Sequence, residues 1–187
     1  MITTRVLRGV AGIVLATALV AIQAGAAGGQ TGQAVRPTGK IAALATCQRK
    51  ELGITLTVAQ GGLSHQGYVI EFKNRGGACT ITGYPGVNAL NAAGHRVLSA
   101  TRTKSGYLGG VESGPIPRVN LAHGKIASAM LEWIDLGSPP CLRAKSFRIT
   151  PPNAITSVVL SPKSLKVQTL CRVEVHPVVP GTTGQKP

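Results

Sequence analysis

Acidic side chains are scarce in this chain: Glu51, Glu71, Glu112, Glu132, Asp135 and Glu174 are its six carboxylates, set against 20 Lys and Arg for a net charge of +14. Two-carboxylate hydrolysis therefore has little to draw on. Glu132 and Asp135 lie close in sequence, but a spacing of three points them to opposite faces of a strand, and the ordinary expectation is two solvated charges at a strand end. The histidines His65, His95, His123 and His176 are isolated, with no H-E-x-x-H for a metal and no G-x-S-x-G elbow for a nucleophile. His65 follows Ser64, yet chain neighbours rarely present their side chains to one another, and loop polarity explains the pair. Neither a Walker A nor a G-x-G-x-x-G phosphate loop occurs. Aromatics are equally thin, with one Trp, three Tyr and two Phe, too few for the stacking on bases or sugar rings that many binders use. These absences predict no enzyme, no cofactor, no metal and no sequence-specific nucleic-acid recognition. No amphipathic helix of useful length and no internal repeat is visible.

What is present begins with an export signal over residues 1–26. Arg5 and Arg8 give a positive start, Gly9 to Ile22 an uncharged apolar run, and Ala24-Gly25-Ala26 a small-residue cleavage site. A membrane anchor needs about 20 apolar residues, and this run gives way to Gln23 and glycines, so no transmembrane span is expected after cleavage. Residues 27–43 lack any run of large apolar side chains and read as a flexible leader, and 180–187 as a flexible tail, because neither can offset the entropy of ordering. Between them, 44–179 is the size of one domain with one core.

Four cysteines in an exported chain, Cys47, Cys79, Cys141 and Cys171, imply two disulfides with three possible connectivities. Cys47 with Cys79, or Cys141 with Cys171, would each close a loop of about thirty residues, worth on the order of 3 to 4 kcal/mol on the chain-entropy model. None of the spacings is C-x-x-C or that of a zinc finger.

Along the domain, short β-branched and apolar runs recur between turn-formers, the pattern of an all-β sandwich or barrel. Ile54 to Val58 alternates. Tyr68 to Lys73 alternates again, with Tyr68, Ile70 and Phe72 on one face, and Asn74-Arg75-Gly76-Gly77 should turn it into Cys79 to Thr82, making 68–82 a hairpin. Gly83-Tyr84-Pro85-Gly86 reads as a tight turn, with Pro85 fixing φ, Gly86 permitting a positive φ and Tyr84 at the core edge. Residues 88–91 and 95–98 form a second hairpin. Residues 101–118 are the longest segment without strand character, where function tends to sit. Lys125 to Trp133 is nearly continuous and apolar, a central strand covered on both faces. Residues 146–150, 156–160 and 171–175 complete about eight strands.

These residues resemble a known family. The early Cys47, Phe72-Lys73-Asn74, then Cys79-Thr80-Ile81-Thr82-Gly83-Tyr84-Pro85-Gly86-Val87, Cys141, Pro151-Pro152, Cys171 and the ending His176 to Gly181 are similar to the secreted actinobacterial domain-of-unknown-function family 4232 (DUF4232). The resemblance implies an extracytoplasmic, immunoglobulin-like β-sandwich of about 7–8 strands with Cys47–Cys79 and Cys141–Cys171 pairings. It supplies no activity and no catalytic residues.

Charge carries the remaining functional expectation. With Arg5 and Arg8 removed, the basic residues still outnumber the acidic threefold, a surface drawn to anionic partners such as phosphate-bearing wall polymer or an acidic protein. The candidate anion-binding groups are Lys73 with Arg75, and Arg143, Lys145 and Arg148; further basic groups are Arg49-Lys50, Arg102 with Lys104, and Lys163 with Lys166. The expectation is a secreted or envelope-associated binding or structural module. The alternative is a protease inhibitor presenting Pro139-Pro140-Cys141-Leu142-Arg143 from a stapled loop.

Overall fold

The computed structural model describes residues 43–135, 141–162 and 168–186. All fall within the unit Ile41–Pro187. The signal expected over 1–26 and the leader over 27–43, Ala43 excepted, lie outside the described residues, as do Pro139, Pro140, Lys163 and Lys166.

The described residues form one 3-10 turn, Arg49–Glu51, and strands β1 (Leu52–Gly62), β2 (His65–Asn74), β3 (Cys79–Thr82), β4 (Gly86–Leu90), β5 (Arg96–Ser99), β6 (Thr101–Arg102), β7 (Arg118–Leu121), β8 (Ile126–Ile134), β9 (Leu142–Ala144), β10 (Ser146–Thr150), β11 (Val158–Leu160), β12 (Gln168–Leu170), β13 (Arg172–Val175) and β14 (Val179–Pro180). The largest sheet runs β1-β2-β8-β13-β6, with β14 also on β8; a second runs β11-β10-β4-β5; β9 with β12 and β3 with β7 make two small ones. No helix among the described residues is long and apolar enough to cross a membrane.

Alternation places the core. Tyr68, Ile70 and Phe72 of β2, Leu131 and Trp133 of β8 and Val173 of β13 share one buried cluster with Val87 and Ala89 of β4 and Phe147 and Ile149 of β10. Rings of Tyr68 and Trp133 lie 6.0 and 6.1 Å from that of Phe147, so aromatics fasten the largest sheet to the second. Emptying that junction by Phe147→Ala would cost about 3–5 kcal/mol. β8 is the central strand expected from its apolar run: it pairs β2, β13 and β14 and is buried from Ala127 to Trp133.

Both disulfides form as the resemblance implied, Cys47–Cys79 and Cys141–Cys171. The all-β class stands, in several sheets. Neither disulfide joins the largest sheet to the second, in contrast to the inter-sheet bridge of antibody domains. Strands outnumber the eight expected, because pieces such as Thr101–Arg102 and Val179–Pro180 carry no alternation and exist only through their partners.

Three expectations are corrected. Residues 68–82 are not a hairpin: both edges of β2 are taken, by β1 and β8, so β3 pairs with β7 instead. Asn74 makes the crossing, its buried Nδ2 donating to the carbonyls of Gly77 and Leu121, both at 2.8 Å. In the Gly83-Tyr84-Pro85-Gly86 turn the left-handed residue is Gly83, at φ +95°, not Gly86, which opens β4 against Thr150. Residues 180–186 are not a loose tail. Pro180 pairs with Ala127, the Gly184 N–H donates to Ser128 Oγ at 2.9 Å, and Gly184 O accepts from the Gly110 N–H at 2.9 Å. Small side chains let this backbone pack closely on β8, a benefit that composition alone does not reveal.

Candidate functional site

The outer face of β8 holds an ionisable cluster. Glu132 is 3% exposed, although its strand is otherwise uncharged, and a buried carboxylate must find partners. The 103–111 loop supplies two of them: backbone N–H groups of Tyr107 and Leu108 donate to Oε1 and Oε2 at 3.1 and 2.7 Å. The approach requires glycine, since a Cβ on Gly106 would lie 2.5 Å from Oε1. Two histidines from other strands complete the setting. His65, opening β2, brings Nδ1 to 3.4 Å from Oε1, and His176, just beyond β13, brings Nε2 to 3.3 Å from Oε2.

Both imidazole contacts are at ion-pair distance but off the line of a hydrogen bond. His176 is fully buried. Its Nδ1 lies 3.1 Å from both the carbonyl and the hydroxyl of Thr103, so a residue of the loop holds the ring in place. His65 stacks on Tyr107, ring centres 4.5 Å apart, and Tyr107 is half exposed. Burial works to raise the Glu132 carboxyl, but the Leu108 and Tyr107 N–H groups and His176 together outweigh it and hold the group below its ordinary 4.5.

The histidines flank the carboxylate from opposite sides: the His176 N–H bonds the Met130 carbonyl, whereas His65 pairs with Ile134. No three His, Cys, Asp or Glu among the described residues form a group able to hold a metal ion. The cluster seats the loop on the sheet. The strand pattern predicts a solvated Glu132 and isolated His65 and His176, whereas the fold buries the carboxylate between the two rings. A charged residue inside the Ile126–Ile134 apolar run, with Gly106, Gly109 and Gly110 in the long loop, was the available signal.

The anion-binding candidates fall into two groups. Lys73 lies between Gly53 and Ile126, and Arg75 follows Asn74, its guanidinium lying over Gly53. Arg49, Lys50 and Lys125 join them: the Arg75 N–H bonds the Glu51 carbonyl at 2.7 Å, and the Asn74 N–H bonds the Lys125 carbonyl at 3.0 Å. The exposed Arg143 and Lys145 lie elsewhere, by β9, with Arg148 facing Asn88 across β10 and β4. Among the described residues none of these cations has a carboxylate within 4.0 Å; the ion pairs are His65–Glu132, His176–Glu132 and Arg172–Glu174.

Tyr84 is half buried and Pro85 buried, and Gly83 O accepts from the Val178 N–H at 2.8 Å, so the turn motif ties down the chain end. Leu142 and Arg143 are strand residues paired with Leu170 and Thr169. The model of the family described as a domain of unknown function, DUF4232, matches residues 47–179. No curated protein and no solved structure matches the chain.

Proposed function

The chain belongs to the DUF4232 family, and on that footing we propose an extracytoplasmic binding module that its basic surface holds to anionic, phosphate-bearing polymer of the cell envelope. The observation that supports this reading is that Arg49, Lys50, Lys73, Arg75 and Lys125 come together at one end of the largest sheet, where Glu51 and Glu71 are the nearby carboxylates. Unpaired Lys and Arg attract polyanions through counterion release and need no aromatic platform. The two disulfides fit export to an oxidising compartment, as the signal pattern of residues 1–26 does. We assign no reaction to Glu132, His65 and His176, whose contacts seat the 103–111 loop on the sheet. Inhibition of a protease is the weaker reading, because Arg143 lies in a paired strand where a projecting loop would be needed.

The test is binding of the full chain to soluble polyphosphate across a salt series. The expected result is an affinity that falls steeply with salt, and a Lys73→Glu/Lys125→Glu variant about tenfold weaker or more near 0.1 M salt. Both side chains are exposed, so the fold should survive. Affinity indifferent to salt, or to this variant, would remove the proposal.

A further inference from the structure

The second basic group has a place of its own in the fold. β8 spans nine residues, about 30 Å at the rise of an extended strand. Lys73 and Lys125 stand at its Ile126 end, Lys73 pairing with Ile126 itself. At the other end the Ile134 carbonyl accepts from the Cys171 N–H at 3.1 Å, Cys171 is bonded to Cys141, and β9 begins at the next residue. Arg143 lies in that strand. Lys145 follows, its N–H bonding the Leu90 carbonyl at 2.8 Å, and Arg96 of β5 pairs with the same Leu90 from the other side of β4. Arg96, Arg143 and Lys145 are exposed and Arg148 half buried.

None of the six carboxylates neutralises this second group. Glu132 is buried, Glu174 pairs with Arg172, Glu71 accepts from Thr55 and Thr57, and Glu51 accepts from the Gln48 N–H at the far end. Asp135 and Glu112 make no ion pair among the described residues. In about 0.15 M salt charges are screened beyond about 8 Å, so two groups some 30 Å apart act as separate sites.

We infer that the protein is bivalent for phosphate-bearing polymer: the Lys73 end and the Arg143–Lys145 end each hold a strand, and one molecule bridges two strands. This rests on the anion-binding reading above and extends it from attachment to cross-linking. The Cys141–Cys171 bridge ties β9 to the end of β8, so the fold sets the spacing between the two sites.

Two probes separate the outcomes. A short oligophosphate, well under 30 Å when extended, reports the number of sites by titration calorimetry; long-chain polyphosphate reports bridging by light scattering. The wild-type chain is expected to take up two oligomers and to cross-link the long polymer, reversibly with salt. Arg143→Glu/Lys145→Glu should keep one oligomer and lose cross-linking, and Lys73→Glu/Lys125→Glu should do the same from the other end. Urea midpoints near wild type would establish that both variants are folded. Wild-type binding of a single oligomer, or a single long chain bound without cross-linking, overturns bivalency while leaving attachment intact. Undiminished uptake by Lys73→Glu/Lys125→Glu overturns the attachment reading itself.

Discussion

Glu132 Oε2 and His176 Nε2 lie 3.3 Å apart, on side chains that are 4% and 0% exposed. Removing one member of such a pair strands the other, whereas replacing both with apolar groups of similar shape is far less costly. The cluster is thus a constraint on the fold as much as a source of stability. It ties the 103–111 loop to the central strand.

Glu132→Gln is expected to destabilise the protein by about 3 kcal/mol. The amide keeps one acceptor for the two N–H donors of Tyr107 and Leu108, and its NH2 faces one of them. Urea unfolding gives the energy, and hydrogen exchange at Tyr107 and Leu108 should rise more than at β10. Equal exchange in both places would deny the loop-seating role.

Acid should act through the same group. The Glu132 carboxyl is held below its ordinary 4.5 in the folded chain, so its contribution is complete above that value and is lost as pH falls through the lower folded one. The stability gap between wild type and Glu132→Gln should therefore shrink in urea titrations taken from pH 6 down to about 3. A gap that widens on acidification would reverse the sign and refute the assignment.

Glycine substitutions offer a paired test. Gly106→Ala places a Cβ 2.5 Å from Glu132 Oε1, whereas Gly77→Ala meets nothing within 4 Å and has no left-handed φ. The first should cost about 2 kcal/mol or more through displacement of the carboxylate or the loop. The second should be neutral or stabilise by up to about 1 kcal/mol by narrowing the unfolded ensemble. Thermal melts of the two variants are the measurement.

The β1–β2 hairpin can be improved. Its two-residue turn, Leu63-Ser64, has φ of +50° and +69°, and Leu63 is 82% exposed. Type I′ geometry of this kind favours Asn-Gly, so Leu63→Asn/Ser64→Gly should stabilise the chain by about 1–2 kcal/mol. No gain in the urea midpoint would mean that the turn is not strained.

Loop-closure entropy sets a last expectation. Replacing Cys47 and Cys79 together by Ala opens a loop whose ends are 32 residues apart, at a cost of about 3–4 kcal/mol. Backbone exchange at Cys47 and Thr80, which bond Thr80 O and Ala45 O, should rise first. A melting temperature unchanged by the double replacement would contradict this.

Alternation and turn chemistry determined much by themselves. Ile54 to Val58, Tyr68 to Lys73, the run into Trp133 and Phe147 to Ile149 were legible as strands, because a sheet with a buried face writes its period into the chain. The DUF4232 pattern carried the cysteine pairing with it. Three things were decided by tertiary structure alone. Which strand accepts β3 depended on both edges of β2 being taken, a fact about partners remote in sequence. The tail of residues 180–186 was ordered by backbone hydrogen bonds to β8 and the loop, which side-chain composition does not encode. His65, Glu132 and His176 met because β2, β8 and β13 lie side by side. A buried charge reveals its need for partners in sequence, but their identity is set by the fold.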